Sequence, residues 1–299
     1  MTSAVSLLVQ LEDASLSRDE QARLRCQTAA ELERRGQYEA AREALGELWR
    51  GVGQRPALEG LGERTAAEVL LRAGTLSGWF GSARQIEDGQ DTAKDLLSES
   101  IARFRAIGET TRAAAAQSEL GFCYKRVGSY DEARVVYQEA LKGLEECGEQ
   151  DLRAEVLKRL AVVELHSGRY NDALRVLTDA AALIEGSDDA LKGKFHNDLA
   201  CVLTCLSRAE RRMDYADRAI IEYTAAAHHF ELAGHTTYCA RAENNLGFLL
   251  YTIGQYDEAH VHLKRARSFF VSERDEGGVA QVDETRARVL LAQGRAREA

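Results

Sequence analysis

Apolar and polar positions along the chain follow a helical period, and the whole pattern returns about every 40 residues. Three copies have a small residue after a leucine, then a glycine, a tyrosine two residues later, and alanines at helical spacing. The clearest copy contains Leu120-Gly121, Tyr124, Gly128, Tyr130, Ala133, Tyr137 and Ala140. Because one helical pair of this length cannot bury its apolar face alone, the pattern predicts an all-α chain of stacked helix pairs.

The small residue in each copy marks the place where the two helices of a pair would pack closely. Seven such residues occur, at Ala29, Gly74, Gly121, Ala161, Ala200, Gly247 and Ala287. They predict an α-solenoid of about seven antiparallel helix pairs, the last one incomplete, forming a single solenoid over residues 1–299. Four Gly-x-Tyr sequences, beginning at Gly36, Gly128, Gly168 and Gly254, predict the turns within pairs, because glycine readily adopts the left-handed conformation that ends a helix. Ser17 and Glu20 have capping-box spacing, which predicts the start of the first pair.

Two pairs are longer than the others. From the small residue to the alanine after the turn, the second and fifth pairs span 19 positions where the regular pairs span 12, so each contains seven additional residues. In the fifth pair, residues 207–217 are polar and contain no glycine, which predicts two added helical turns. In the second pair, the Gly-Trp-Phe-Gly-Ser sequence at 78–82, with Gly89 beyond it, predicts a loop. Trp79 and Phe80 would plug the gap left by this irregular repeat, or alternatively form a hook for a partner.

The composition supports one continuous helical stack. The chain has 299 residues, 45% hydrophobic and 29% charged, with a single proline and no linker. Its net charge of −9 argues against general binding of nucleic acid or of an anionic membrane. No apolar stretch reaches the roughly 20 residues that span a bilayer, and the N-terminus lacks the features of a secretory signal. Six scattered cysteines fit free thiols in a reducing cytoplasm.

The copy from Leu120 to Ala140 carries the small-and-aromatic signature of the tetratricopeptide repeat, and the chain resembles this family over nearly its whole length. Its regular units of 39–40 residues resemble the longer-helix variety found in kinesin light chains and in sensor arms of bacterial regulators. The resemblance implies a right-handed superhelix. The region from Ala66 to Ser100 more distantly resembles repeat arms that precede ATPase or DNA-binding domains in bacterial transcription regulators.

The end of the sequence falls within a repeat. After the turn at Gly294, only the first residues of a seventh second helix precede Ala299. This favours an N-terminal fragment of a longer protein, since solenoids normally end in a polar cap; a frayed natural terminus is the alternative. An uncovered last helix would also favour self-association through the C-terminal end.

The resemblance also suggests a binding groove. In tetratricopeptide repeats, side chains of the first helix of each pair line the concave face. Carrying those positions over predicts these groove residues: Phe122, Lys125, Arg126, Lys158, His166, Lys194, Asn197, Arg241, Asn244, Phe248 and Tyr251. Five cations in an acidic chain favour an anionic ligand, so we expect an acidic, C-terminal or phosphorylated protein segment, with asparagines bonding its backbone and aromatic rings contacting it. Alternatively, the cations are solvated or paired with neighbouring acids.

One known version of such a groove does not fit. The clamp that binds the acidic terminal tags of Hsp70 and Hsp90 needs lysine, asparagine and arginine at set places in successive repeats. Here Lys158 is followed by Val162, and the next position is Asp198.

Reaction chemistry has little support in the sequence. Cys201 and Cys205 share a helical face with His196, but no paired metal-ligand spacing occurs, and we expect neither metal nor cofactor. Phosphate-binding loops, dinucleotide motifs and nucleophile elbows are absent from the sequence. We therefore expect a non-catalytic protein-interaction module, the sensing arm of a multidomain bacterial regulator. The alternatives are a freestanding adaptor, or a peptide or small-ligand sensor with a deep pocket near Phe122, His166 and Asn197.

Overall fold

The structure is a computed structural model that describes residues 16–145 and 147–298. This part of the chain contains thirteen α-helices and a short 3₁₀ turn at Gly46–Leu48, and no strand occurs in it. The helices are α1 (Arg18–Arg34), α2 (Tyr38–Leu45), α3 (Glu63–Ala83), α4 (Gly89–Ala106), α5 (Thr110–Arg126), α6 (Tyr130–Leu144), α7 (Gln150–His166), α8 (Tyr170–Ile184), α9 (Asp189–Glu210), α10 (Met213–Leu232), α11 (Thr236–Thr252), α12 (Tyr256–Ser272) and α13 (Glu276–Ala292).

Consecutive helices pack as antiparallel pairs, from α1 with α2 to α11 with α12, and α13 follows the sixth pair. The predicted all-α architecture is therefore confirmed, with the helix pairs of a tetratricopeptide-like solenoid. The chain divides into two compact units, which we call unit 1 (up to Leu152) and unit 2 (from Arg153). Each unit has its own buried apolar core, around Trp49, Phe80 and Phe104 in unit 1 and around Tyr223 and Phe270 in unit 2.

The small residues lie where the two helices of a pair come closest, as the sequence predicts. A Cβ atom added at Gly121 would come within 2.7 Å of the Tyr137 ring on the other helix of the pair. A Cβ added at Gly247 would come within 2.6 Å of Leu263. Real Cβ atoms do not approach other atoms this closely, so these positions need glycine for the helices to pack.

The predicted turns and the first helix start are also confirmed. Gly128 and Gly254 have φ values of +81° and +84°. Each lies in the turn after the first helix of its pair, directly before the N-cap residue of the second helix. At the start of α1, the Ser17 hydroxyl accepts a hydrogen bond from the Glu20 amide, and the Glu20 carboxylate accepts one from the Ser17 amide. This reciprocal bonding is the capping box expected from the sequence.

The second pair differs from its prediction. Residues 78–82 do not form a loop, because α3 continues to Ala83 and the chain turns only afterwards. The glycines serve close packing instead: a Cβ added at Gly89 would lie 2.7 Å from the Cα of Gly81, where α3 and α4 meet. Phe80 is buried in the core of unit 1, and Trp79 stacks on the ring of Tyr38 at 4.3 Å. Both aromatic side chains therefore pack inside unit 1.

The fifth pair agrees with its prediction, since α9 and α10 contain 22 and 20 residues. An irregular segment after α2 was missed by the repeat pattern. In this segment, residues 49–62, Trp49 is fully buried and its indole Nε1 donates to the carbonyl of Gln54 at 3.2 Å. Pro56 is buried as well. The sequence signal for this irregular segment was its four glycines together with the only proline of the chain.

Candidate partner-binding faces

Eight predicted groove residues belong to the first helices of pairs in unit 2. They lie on α7 (Lys158, His166), on α9 (Lys194, Asn197) and on α11 (Arg241, Asn244, Phe248, Tyr251). Contacts between side chains join these three helices, as described below. We call the surface formed by these eight residues and their direct contacts the A-face of unit 2.

Lys158 is not a free cation. Its side chain is buried, and its ammonium group lies 3.5 Å from Glu155 and 3.8 Å from Asp198 on the next first helix. Arg159 also binds Glu155, at 2.9 Å. Burial alone would raise the pKa of Glu155, but Lys158, Arg159 and Lys194 outweigh it and lower this pKa to about 2. This part of the A-face is thus a neutralised ion cluster, which fits the alternative interpretation of the predicted cations.

Side-chain amides connect α9 with α11. The amide of Asn245 donates to the side-chain oxygen of Asn197 at 3.3 Å, and Asn197 donates to Asp198 at 3.3 Å. Asn244, next to Asn245, is buried, and its side-chain oxygen has no hydrogen-bond partner within the described structure. An unpartnered buried amide oxygen costs free energy, so this group favours a donor from outside the described chain.

Two cations flank one tyrosine ring on the A-face. The Lys194 ammonium lies 5.8 Å from the centre of the Tyr238 ring, and the Arg241 guanidinium lies 5.7 Å from it. Tyr238 itself stacks on the buried Phe230 ring at 5.3 Å, which fixes its position. Neither cation forms an ion pair within 4 Å with any carboxylate of the described residues, although Lys194 is close enough to influence Glu155.

The aromatic groove residues lie towards the end of α11. The rings of Phe248 and Tyr251 are 6.0 Å apart, and Tyr251 is 6.4 Å from Tyr256 at the start of α12. Phe248 and Tyr251 are partly exposed. His166 is exposed at the end of α7. These side chains offer apolar and aromatic contact area to a partner.

In unit 1, the predicted groove residues bind one another and the backbone. Both Lys125 and Arg126 lie over the Phe122 ring, at 5.8 Å and 4.6 Å from its centre. The Arg126 guanidinium also donates to the carbonyl of Gly78 at 3.0 Å, and burial lowers the pKa of this arginine. Arg126 is thus tied to α3 as well as to Phe122.

A buried ion-pair network joins three first helices of unit 1. Arg72 on α3 donates to Glu33 on α1 at 2.5 Å and lies 3.2 Å from Glu68, which also binds Arg112 on α5. The other oxygen of Glu33 is buried and has no partner in the described structure. Burial, reinforced by the charges of Glu119 and Glu68, outweighs Arg72 and raises the pKa of Glu33 to about 7.

Several of these partners fall outside the positions carried over from the repeat family. Asp198 and Asn245 each lie two residues before the small residue of their repeat, as does Arg72. All seven repeats have a polar residue at this place: Gln27, Arg72, Glu119, Arg159, Asp198, Asn245 and Thr285. That row is visible in the sequence, but it was not among the predicted groove positions. Tyr238 lies near the start of α11, outside the carried-over register.

Several cysteines and histidines have hydrogen-bond partners among the described residues. Burial raises the pKa of Cys201 to about 12, and Cys201 accepts a hydrogen bond from Tyr223 at 3.3 Å. His196 and His229 bond to carboxylates, Glu222 and Asp189 respectively. Among the described residues, no three His, Cys, Asp or Glu side chains converge as metal ligands would. No helix in residues 16–145 or 147–298 has the length and apolar character needed to cross a bilayer.

The helix pairs and their residue faces define a helical-repeat module. The sequence profile of the tetratricopeptide repeat family matches residues 112–186, which include the pairs α5–α6 and α7–α8. The resemblance to tetratricopeptide repeats inferred from the sequence is therefore confirmed for this part of the chain. A search of curated protein sequences gives no significant match.

Several solved structures share this fold over almost the whole chain. Aspartyl phosphate phosphatase F from Bacillus subtilis has a TM-score of 0.66 and 12% identity, covering 99% of this chain and 76% of that chain. The quorum sensor NprR from B. thuringiensis, in its apo form, has a TM-score of 0.60 and 12% identity, covering 97% and 88%. A Rap protein complexed with competence and sporulation factor has a TM-score of 0.59 and 11% identity, covering 99% and 81%. At these identities the likeness shows the fold, and the expectation that this chain is not an enzyme stays a prediction.

Proposed function

We propose that this chain is a non-catalytic interaction module whose A-face in unit 2 binds an extended, acidic segment of a partner protein. The observation that carries the proposal is the amide row from Asn197 to Asn245, with the unpartnered oxygen of Asn244 beside it. Extended peptides present backbone N–H and C=O groups at regular spacing, and side-chain amides can bond to both. Phe248 and Tyr251, one and two helical turns further along α11, would contact the segment's side chains.

A regulatory role in a bacterium is the context that we favour. The solved structures with this fold include a quorum sensor and a Rap protein complexed with a signalling factor. By analogy, binding of a segment at the A-face would regulate the activity of a longer protein, and this chain would act as its sensing arm. All six cysteines are free thiols, which supports a reducing compartment, the cytoplasm.

Two cysteines are poor candidates for a catalytic nucleophile. Burial raises the pKa of Cys201 to about 12 and that of Cys239 to about 11, so neither sulfur is a thiolate nucleophile at neutral pH. A direct test of the non-catalytic role is an assay of phosphatase activity on aspartyl-phosphate substrates, because one protein of the same fold carries that name. Measurable turnover by the purified chain would contradict this part of the proposal.

The binding proposal can be tested with a random 12-residue peptide display library selected on the full chain. Phe248→Glu places a charge among the aromatic contacts of the A-face, whereas Val261→Glu changes an exposed residue of the second helix α12. We expect selected peptides to bind wild type and Val261→Glu equally, and Phe248→Glu at least about tenfold more weakly. Both variants must retain the wild-type helical circular dichroism. The proposed function would be contradicted if no selected peptide bound saturably, or if all three proteins bound the peptides equally.

A further inference from the structure

The predicted groove cations differ in how far their charge is already neutralised. Lys158 is buried and lies between the partly exposed carboxylates of Glu155 and Asp198. Lys194 and Arg241 have no carboxylate within ion-pair distance in the described structure, and both approach the ring of Tyr238. A positive charge that no neighbouring acid neutralises is available to an anionic ligand. The attraction for an acidic segment is therefore concentrated at Lys194 and Arg241.

The position of Tyr238 gives this pair of cations a defined geometry. Its ring stacks on Phe230, which is buried in unit 2, so the tyrosine is held by the core. Lys194 comes from α9, whereas Arg241 lies one helical turn after Tyr238 on α11. Two cations from two helices thus meet at one fixed ring, which restricts where an anion can be held between them.

An unpartnered hydrogen-bonding group lies one helical turn beyond Arg241. Residues three apart on a helix share a face, so Asn244 neighbours Arg241 on α11. Its buried side-chain oxygen has no donor in the described chain. A peptide backbone offers an N–H donor, which a fully deprotonated inorganic anion such as sulfate lacks. The arrangement therefore favours a peptide over an anion of that kind.

We propose that Lys194, Tyr238 and Arg241 form a subsite for one carboxylate side chain of a bound peptide, and that Asn244 accepts a hydrogen bond from the peptide backbone next to that residue. This inference rests on the proposed function, because it assigns a position within the same A-face. It specifies a register: one Asp or Glu at a fixed place in the segment, with the amide row of Asn197 and Asn245 beyond it.

The subsite is testable with the peptides selected on the full chain, by measuring affinity with fluorescence anisotropy at low salt. We expect an Asp or Glu at one constant position in these peptides, and a loss of about tenfold or more when it is changed to Gln. Lys194→Glu with Arg241→Glu should weaken the acidic peptide, and a peptide with Lys at that position should recover binding to this double variant. Lys264→Glu, at an exposed cation on α12, is the matched control and should bind like wild type.

The backbone contact has its own measurement. N-methylation of the peptide group next to the acidic residue should weaken binding to wild type by about tenfold and should have little further effect on Asn244→Ala. The outcomes also separate the subsite from the proposed function. If peptides are selected without any preference for Asp or Glu, or if the charge-reversed double variant binds them equally, the subsite is wrong while the function stands. If no peptide is selected, both are wrong.

Discussion

The pH dependence of stability should reveal the buried Glu33 carboxylate in unit 1. Its ordinary pKa is 4.5, and burial, reinforced by the charges of Glu119 and Glu68, raises it to about 7 despite the contact with Arg72. The unfolded chain releases this proton near pH 4.5 and the folded chain keeps it until near pH 7. The unfolded state therefore binds fewer protons in that interval, and the free energy of unfolding falls as the pH rises through it.

The size of the effect follows from the shift. Each unit of pKa difference corresponds to about 1.4 kcal/mol. Between pH 5 and pH 8, wild type should lose about 2.5 kcal/mol that Glu33→Gln does not lose, because glutamine keeps the hydrogen bond to Arg72 and cannot ionise. The variant should thus gain stability relative to wild type as the pH rises.

Urea unfolding followed by tryptophan fluorescence is the appropriate assay, because both tryptophans, Trp49 and Trp79, lie in unit 1. The two units need not unfold together, and this signal reports on the unit that contains Glu33. Glu47→Gln, at an exposed carboxylate of unit 1, is the control and should leave the profile unchanged. A difference between Glu33→Gln and wild type that stays constant from pH 5 to pH 8 would refute the reasoning.

Three further predictions test the fold. Gly121→Ala should destabilise unit 1 by about 1–3 kcal/mol, because the new Cβ would press on the Tyr137 ring. In the control Gly143→Ala, the nearest neighbour of the new Cβ would be 3.4 Å away, so this variant should be neutral or more stable by up to about 1 kcal/mol. Urea unfolding measures both changes. Glu155→Gln should lower the free energy of unfolding by about 3 kcal/mol at neutral pH, because cations lower the pKa of Glu155 to about 2. This difference from wild type should disappear as the pH falls from about 4.5 towards 2. Urea unfolding followed by circular dichroism measures the difference, and a value that does not change with pH would contradict the prediction. Ser17→Ala should cost about 1 kcal/mol, with faster amide exchange confined to the first turn of α1.

The sequence predicted the helix pairs because their signals are local. Gly128 and Gly254 end helices through their own backbone conformation, and Gly121 reports a close approach that only glycine permits. The prediction for residues 78–82 was wrong because a glycine has two uses, as a turn residue and as a packing residue. There Gly81 packs against Gly89 within a helix pair, and only the partner helix shows which use applies.

The candidate site was predicted less completely, because pairing depends on neighbouring repeats. Lys158 fits the groove position, yet its charge is neutralised by Glu155 one turn away and by Asp198 in the next repeat. Carrying positions over one repeat at a time cannot show such contacts. Asn245 and Tyr238 were missed because they lie outside the family's groove register, although the polar residue two places before each small residue was a signal in the sequence.

Nuclear magnetic resonance of the full chain, titrated with a selected acidic peptide, tests the central claim most directly. Binding at the A-face of unit 2 predicts chemical-shift changes concentrated at Asn197 on α9 and at Arg241, Asn244 and Phe248 on α11. The second helices provide the comparison, and exposed Val261 on α12 should be unaffected. Shifts concentrated on α10 and α12, with none at Asn197 or Asn244, would contradict the account.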